Sequence, residues 1–366
     1  MSARSGLLGQ PVALYWGLAR TFRFGPIRDE GDDAVDDGAQ LYSAPPAEPE
    51  TASTVHTAPK APSARPHDTR HDDPELAALA ERPIELIRPL RQTLPVIVSS
   101  PHSGSVYPRA FVEASSLDGA TLRRSEDCYV DQMIHSAPAH GAPVLAARFP
   151  RAFLDPNREA YELDPDMFDG PLPSYVKAMS PRVRGGLGSI ARIVADGQPI
   201  YRERLSFEEA EWRIDNFYRP YHRALIELID ETRAKFGFAI VLDCHSMPSI
   251  ASLRMLEDGG PPPEIVLGDR YGRSCRRGVI RAVEKAFIQS GYIVRRNAPY
   301  AGGFITDHYG APNRGVHTIQ IEINRGTYMN EETLAPNTGL ERLARDFNLV
   351  FENLSQIDRG ALKAAR

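Results

Sequence analysis

The run Phe238-Ala-Ile-Val-Leu-Asp243 constrains this chain more than any other feature. A strand that shows one face to water alternates apolar and polar residues. A run without alternation suits a strand covered on both faces, as in the middle of a parallel sheet. Pro95-Val-Ile-Val-Ser-Ser100, Val144-Leu-Ala-Ala147, Ile293-Val-Arg-Arg296 and Val316-His-Thr-Ile-Gln-Ile-Glu-Ile323 read as further strands. Between them lie helical patterns over Asp127 to Ala139, Arg270 to Ser290 and Glu332 to Asn353. A longer helix opens at Ser206 as N-cap, with Glu208 and Glu209 in its first turn, is interrupted at Pro220 and runs to Lys235. Alternating strands and helices predict an α/β fold, a three-layer sandwich with a central mixed, mostly parallel sheet.

The first 80 residues differ in kind. An acidic run from Asp29 to Asp37 precedes Ser43-Ala-Pro-Pro-Ala-Glu-Pro-Glu50 and then Pro59, Pro62 and Pro66. Such a segment buries too little apolar surface to offset its ordering entropy, so residues 1–80 are expected to be a disordered tail. His56, His67 and His71 within it read as solvated. The catalytic domain is expected over residues 81–366. A formal charge of −5 and the lack of a basic stripe argue against nucleic acid and anionic membranes as partners. Gly9, Gln10, Pro11 and Gly17 interrupt the apolar stretch Leu7 to Leu18, so neither signal peptide nor membrane span is expected. Three cysteines, Cys128, Cys244 and Cys275, make no CxxC pair and point to a reducing compartment, with the cytoplasm as expected location.

In open α/β sheets the chemistry gathers just beyond the carboxyl ends of strands. His102 follows one predicted strand, His245 follows another, and Glu322 lies inside a third. Singly, each has a bland reading. Glu322 would pair with Arg325 or another arginine, Asp127 would complement a helix dipole, and either histidine would be a satisfied structural residue. Together, two histidines and a carboxylate are what catalytic zinc needs when its fourth position is kept for water. Glu322 then suits the base that takes the water proton and returns it to a leaving nitrogen. Asp243, two residues before His245, would orient that histidine. Competing constellations are weaker. Ser103 and Ser246 are not in a G-x-S-x-G elbow, and Cys244 faces away from its neighbour His245 on a strand. Gly185-Gly-Leu-Gly188 lacks the context of a phosphate loop and reads as a flexible loop.

Ser100-Pro-His-Ser-Gly104, Glu126-Asp-Cys-Tyr-Val-Asp131, Phe153-Leu-Asp-Pro-Asn-Arg158, Asp243-Cys-His-Ser246 and Asn297-Ala-Pro-Tyr-Ala-Gly-Gly-Phe-Ile-Thr306 occur in this order. Tyr309-Gly-Ala-Pro312, Gln320-Ile-Glu-Ile323 and Tyr328-Met329 follow. Over roughly residues 95–330 this series resembles the N-formylglutamate amidohydrolases. The resemblance implies a fold like that of zinc carboxypeptidases, one zinc per chain, and hydrolysis of an N-formyl or N-acyl amino acid. It implies His102, Asp127 and His245 as metal ligands, with Glu126 the rival of Asp127, and Glu322 as the catalytic glutamate. Asn157 and Arg158 match a pair that binds substrate carboxylate, for which the guanidinium fork is suited. Arg158 would otherwise pair with Asp155 or Glu159. Arg151 is a second candidate for the carboxylate, and Tyr300, Gly303, Thr306 and Tyr309 are candidates to line the pocket. The chain departs from the pattern at Pro299-Tyr-Ala301 and at Asp307, where basic residues are expected. Asp307 is expected to repel a second substrate carboxylate. Two other readings use the same residues: a carboxypeptidase-type enzyme with a longer groove, and a scaffold that keeps the fold without activity.

Overall fold

Seven strands form one sheet: β1 (Ile84–Ile87), β2 (Val96–Ser100), β3 (Val144–Ala147), β4 (Ala239–Met247), β5 (Ile265–Gly268), β6 (Val294–Arg296) and β7 (Val316–Asn324). The computed structural model describes residues 73–194, 197–253 and 261–363. The spatial order is β1-β3-β2-β4-β7-β5-β6. Pairs β2/β3, β2/β4, β4/β7 and β5/β6 are parallel, while β1/β3 and β5/β7 are antiparallel. The sheet is therefore mixed and mostly parallel, as its apolar runs require. β4 and β7 are buried along their whole length and pair from Ala239 opposite Val316 to Met247 opposite Asn324.

The two-residue period of strands divides the core between two layers. Ile97, Leu145, Ala239 and Val241 pack on one face, against Leu76, Leu79 and the helix Arg219–Phe236. Val98, Val144, Ile240, Leu242, Ile319 and Ile321 pack on the other, against the helices Arg277–Gln289 and Thr338–Ser355. Ser206 accepts a hydrogen bond from the Glu209 amide and caps the helix Phe207–Arg213 as expected. The interruption near Pro220 is a π-helical stretch, Ile214–Tyr218, which leads directly into Arg219–Phe236.

Several boundaries differ from expectation, each for a local reason. The helix expected over Asp127 to Ala139 is reduced to Val130–Met133, followed by a 3-10 turn at Ala137–His140. Its beginning is lost because the Asp127 amide donates to the His102 carbonyl and Tyr129 takes a left-handed φ of 67°. The helix expected from Arg270 begins at Arg277, since Arg270 and Tyr271 are also left-handed. The last helix begins at Thr338, after Pro336, which disfavours helix in the residue before it. The tail boundary also moves. Pro74–Glu81 is a helix capped by Asp73, with Leu76 and Leu79 buried in the core. Residues 1–72, with the acidic run and His56, His67 and His71, lie outside the described residues. Among the described residues no helix is long and apolar enough to cross a membrane.

Candidate metal centre and its cavity

β2, β3, β4 and β7 run in the same direction, and β2 lies between β3 and β4, so the chain leaves adjacent carboxyl ends toward opposite sides. That arrangement opens a crevice at the strand ends. His102 enters it from the turn after β2, and His245 from the end of β4, directly opposite Glu322 of β7. Arg151, Asp155, Asn157 and Arg158 come from the segment after β3, whose backbone is fastened from below. Arg213 donates to the Phe153 carbonyl, Tyr218 to that of Arg158, and His222 faces that of Pro156.

At the floor, His102, Asp127 and His245 are almost fully buried, at 1%, 0% and 2% exposure. The two imidazoles turn their Nδ1 atoms to each other at 3.0 Å. Asp127 Oδ2 lies 3.3 Å from that of His102 and 3.2 Å from that of His245. Zinc–ligand bonds of about 2.0–2.2 Å at tetrahedral angles separate ligand atoms by about 3.3–3.6 Å, close to this triangle. The far ring nitrogens face carboxylates. His102 Nε2 is 2.6 Å from Asp155 Oδ1, and His245 Nε2 is 3.0 Å from Asp243 Oδ2. A histidine backed by a carboxylate presents its other nitrogen as a fixed ligand, so the donor set fits a divalent metal. These three residues form the one group of suitable spacing among the described residues.

Glu126, the rival ligand, points elsewhere. Arg123 grips its carboxylate through two bonds of 3.0 Å, and Tyr107 adds a third. Asp127 is the member of the Glu126-Asp127 pair that joins the histidines. Its outer oxygen accepts from Ser246 at 3.2 Å and from Arg325 at 3.0 Å. Arg325 therefore pairs with Asp127 and not with Glu322, contrary to the ion pair weighed from sequence.

Charges in this buried cluster move one another. Burial opposes ionisation of Asp127, yet His102, His245 and Arg151 hold its carboxyl well below the ordinary range. Burial likewise opposes ionisation of Asp155, which Arg158, His102 and Arg151 hold low. Burial would lower the His245 imidazole, but Asp243 and Asp127 raise it well above its usual value. Glu322 goes the other way. Burial raises it to about 7, against the opposing pull of His245, Arg151 and a hydrogen bond from Gln320. A carboxyl near neutrality is suited to accept a proton and return it.

Above the floor lies a cavity of about 620 Å³, within the usual range for small-molecule sites. Arg151, Asn157, Arg158, Tyr300, Gly303 and Glu322 all line it. Arg151 sits 3.2 Å from Asp155 and 3.8 Å from Asp127, with its side chain a quarter exposed. Arg158 is committed to the wall. Its Nε donates to the Leu187 carbonyl and one terminal nitrogen to that of Asn157, while the other lies 3.8 Å from Asp155. Asn157 accepts from the Ile305 amide and lies 3.2 Å from His245 Nε2. A Cβ at Gly303 would stand 2.4 Å from the Asn157 side chain, so glycine permits this close approach. Thr306 and Tyr309 do not line the cavity. Thr306 is buried, and Tyr309 meets His222 at 2.7 Å. The Gly185–Gly188 loop contributes Leu187 and Gly188 to the wall.

The sequence reading assigned no site role to Gln320, Arg325, Arg270 or Arg182, which also line the cavity. Gln320 had a readable signal, since it precedes Glu322 by two residues and shares its face of β7. It donates to Glu322 and accepts from the Gly303 amide. Arg270 and Arg182 lie in segments without a motif.

A three-layer α/β fold with an arginine-lined cavity at the carboxyl edge of its sheet, floored by buried histidines and carboxylates, defines a hydrolytic enzyme. The chain belongs to the N-formylglutamate amidohydrolase family, whose profile matches residues 94–329. N-formylglutamate deformylase of Pseudomonas putida is 31% identical over 266 residues, covering 72% of this chain and 91% of that protein. The deformylase of Pseudomonas aeruginosa is 31% identical over 245 residues, covering 66% and 85%. The crystal structure of N-formylglutamate amidohydrolase from Ralstonia eutropha superposes with a TM-score of 0.71 at 37% identity, covering 75% of this chain and 97% of that one.

Proposed function

We propose that this protein hydrolyses the amide bond of an N-formyl or related N-acyl amino acid, with zinc held by His102, Asp127 and His245. The observation that carries this reading is the convergence of three ligand atoms beside Glu322, which faces His245 across β4 and β7. The names and similarity of the Pseudomonas and Ralstonia relatives support the substrate class. Zinc bound there supplies a Lewis acid that lowers the pKa of water toward 7. Glu322 removes a proton from the attacking water as its oxygen bonds to the acyl carbon. As the carbon–nitrogen bond breaks, Glu322 passes that proton to the leaving nitrogen, giving the free acid and the amino acid. Asp155 and Asp243 hold the ring orientations of the two histidines. Arg151, beside the floor and open to the cavity, would receive the substrate α-carboxylate through its planar fork, with Tyr300 also lining the cavity.

The test is metal content by elemental analysis on wild type and His102→Ala, with hydrolysis of N-formyl and N-acyl amino acids assayed alongside. About one zinc per chain is expected in wild type, lost together with activity in the variant. Equal metal in both proteins would remove His102 from the ligand set. A metal-loaded wild type that cleaves none of a broad N-acyl panel would overturn the activity.

A further inference from the structure

Asp307, expected from sequence to face an anionic substrate with the wrong sign, is turned away. It stands in the first turn of the helix Phe304–Tyr309, and its carboxylate accepts from Arg270 Nε at 2.7 Å, with Arg273 3.8 Å away. Asp307 does not line the cavity, whereas Arg270 does. The three charges sum to one positive, and its inner edge is the Arg270 guanidinium.

Arg270 arrives there on an unusual backbone. Arg270 and Tyr271, both with a Cβ, take left-handed φ of 53° and 58°. Side-chain-bearing residues persist in that region where their surroundings over-determine them, and such places cluster at functional sites. Here the surroundings are explicit. The Arg270 amide donates to the Ala301 carbonyl at 2.8 Å. Asn297 accepts from the Asp269 amide at 3.0 Å and donates to the Asp269 carboxylate at 2.8 Å. That carboxylate also accepts from the Gly272 amide at 3.0 Å. Gly302, at φ 126°, lets the arginine stem pass, since a Cβ there would lie 3.0 Å from Arg270 Cδ. With Nε committed to Asp307, the two terminal nitrogens have no hydrogen-bond partner among the described residues. A guanidinium in that state is preorganised for a carboxylate.

Its position sets what it would bind. β5 ends at Gly268, opposite Gln320, two residues along β7 from Glu322. Arg270 therefore stands one strand outward from the proposed base, while Arg151 lies at the floor beside Asp127 and Asp155. Among the arginines that line the cavity, Arg151 stands near the reacting amide and Arg270 further out, with its terminal nitrogens unengaged among the described residues. We propose that Arg270, pinned by Asp307, is a specificity-determining residue that receives the side-chain carboxylate of an N-acyl dicarboxylic amino acid. This rests on the amidohydrolase reading above and adds the residue that selects an acidic side chain.

The test compares N-formyl-L-glutamate with N-formyl-L-glutamine, which has nearly the same shape without the charge, on the zinc-loaded full chain. Both kcat/KM and calorimetric affinity are measured for wild type, Arg270→Gln and Asp307→Asn. Wild type is expected to favour the glutamate compound by about 10- to 100-fold, as a charge-assisted pair allows. Arg270→Gln should erase that preference by raising KM for the glutamate compound far more than for the glutamine compound. Asp307→Asn, which only unpins the guanidinium, should reduce the preference several-fold and covers the case in which Arg270→Gln does not fold. Equal handling of the two compounds by wild type, equal losses on both in Arg270→Gln, or an unchanged preference in Asp307→Asn would overturn the assignment. Cleavage of neither compound would overturn the amidohydrolase reading instead, and the affinities alone would then decide on Arg270. A tighter glutamate complex that is lost in Arg270→Gln supports it, and equal affinities overturn it.

Discussion

Asp155 Oδ1 stands 2.6 Å from His102 Nε2, on the opposite side of the ring from the Nδ1 that faces Asp127 and His245. Its other oxygen is 3.2 Å from Arg151. One buried carboxylate thereby sets both the orientation of a proposed ligand and the place of a proposed substrate-binding arginine.

Removing the negative charge of Asp155 while keeping its shape separates these roles from folding. Asp155→Asn is expected to weaken metal affinity by about 10- to 100-fold, the usual effect of losing a carboxylate behind a ligand histidine. Competition with a coloured chelator measures it. An affinity equal to wild type would mean that His102 needs no such support.

Glu322→Gln should leave metal content unchanged and lower kcat by about 10²- to 10⁴-fold, the range for a lost general base. The same group predicts a pH profile. Its carboxyl is raised to about 7, and the base must be ionised to take a proton, so activity is present above that value and declines below it. In wild type kcat/KM should fall about tenfold per pH unit on the acid side. A profile flat through that region would assign the base elsewhere.

His222 gives a stability prediction away from the metal centre. Burial lowers its imidazole from 6.5 to about 3, despite the Pro156 carbonyl beside Nε2. The folded value is below the unfolded one, so the unfolded state binds the proton first as pH falls. Stability from this residue is complete above about 6.5 and is lost as pH drops toward about 3, at roughly 1.4 kcal/mol per pH unit. Thermal melts across that window should fall more steeply for wild type than for His222→Gln. Parallel curves would show that another group drives acid unfolding.

Truncations of the N-terminal segment give a further prediction. Deleting residues 1–72 is expected to leave activity and melting behaviour unchanged, since their composition offers little surface to bury. Extending the deletion through Glu81 removes Leu76 and Leu79, each buried to 2% exposure. It also removes the Glu75 carboxylate that accepts from the Arg109 amide. A cost of about 1.5–3 kcal/mol per leucine follows from their burial. Urea unfolding of the two truncations checks it, and equal midpoints would show that the helix Pro74–Glu81 adds nothing.

Much of the fold was legible because its signals are local. Unbroken β-branched and apolar runs identify β2, β3 and β4, isoleucines at every second position identify β7, and polar residues at or near their ends mark where chemistry gathers. β1 and β5 were not read although β3, of the same length, was, and the helix expected from Asp127 failed because its first amide is claimed by the His102 carbonyl. The family motifs carried His102, His245 and Glu322 to one crevice without reference to coordinates.

The sequence by itself thus determined β2, β3, β4, β6 and β7, the polar residues at their carboxyl ends and the family. Tertiary structure alone decided between partners: Asp127 over Glu126 beside the histidines, Asp127 over Glu322 for Arg325, His222 for Tyr309, and Arg270 for Asp307. The reason is physical. Secondary structure follows from periodicity within a few residues. The partner of a buried charge depends on which distant strands lie side by side and which face each side chain takes, and Arg325 meets Asp127 across 198 positions of chain.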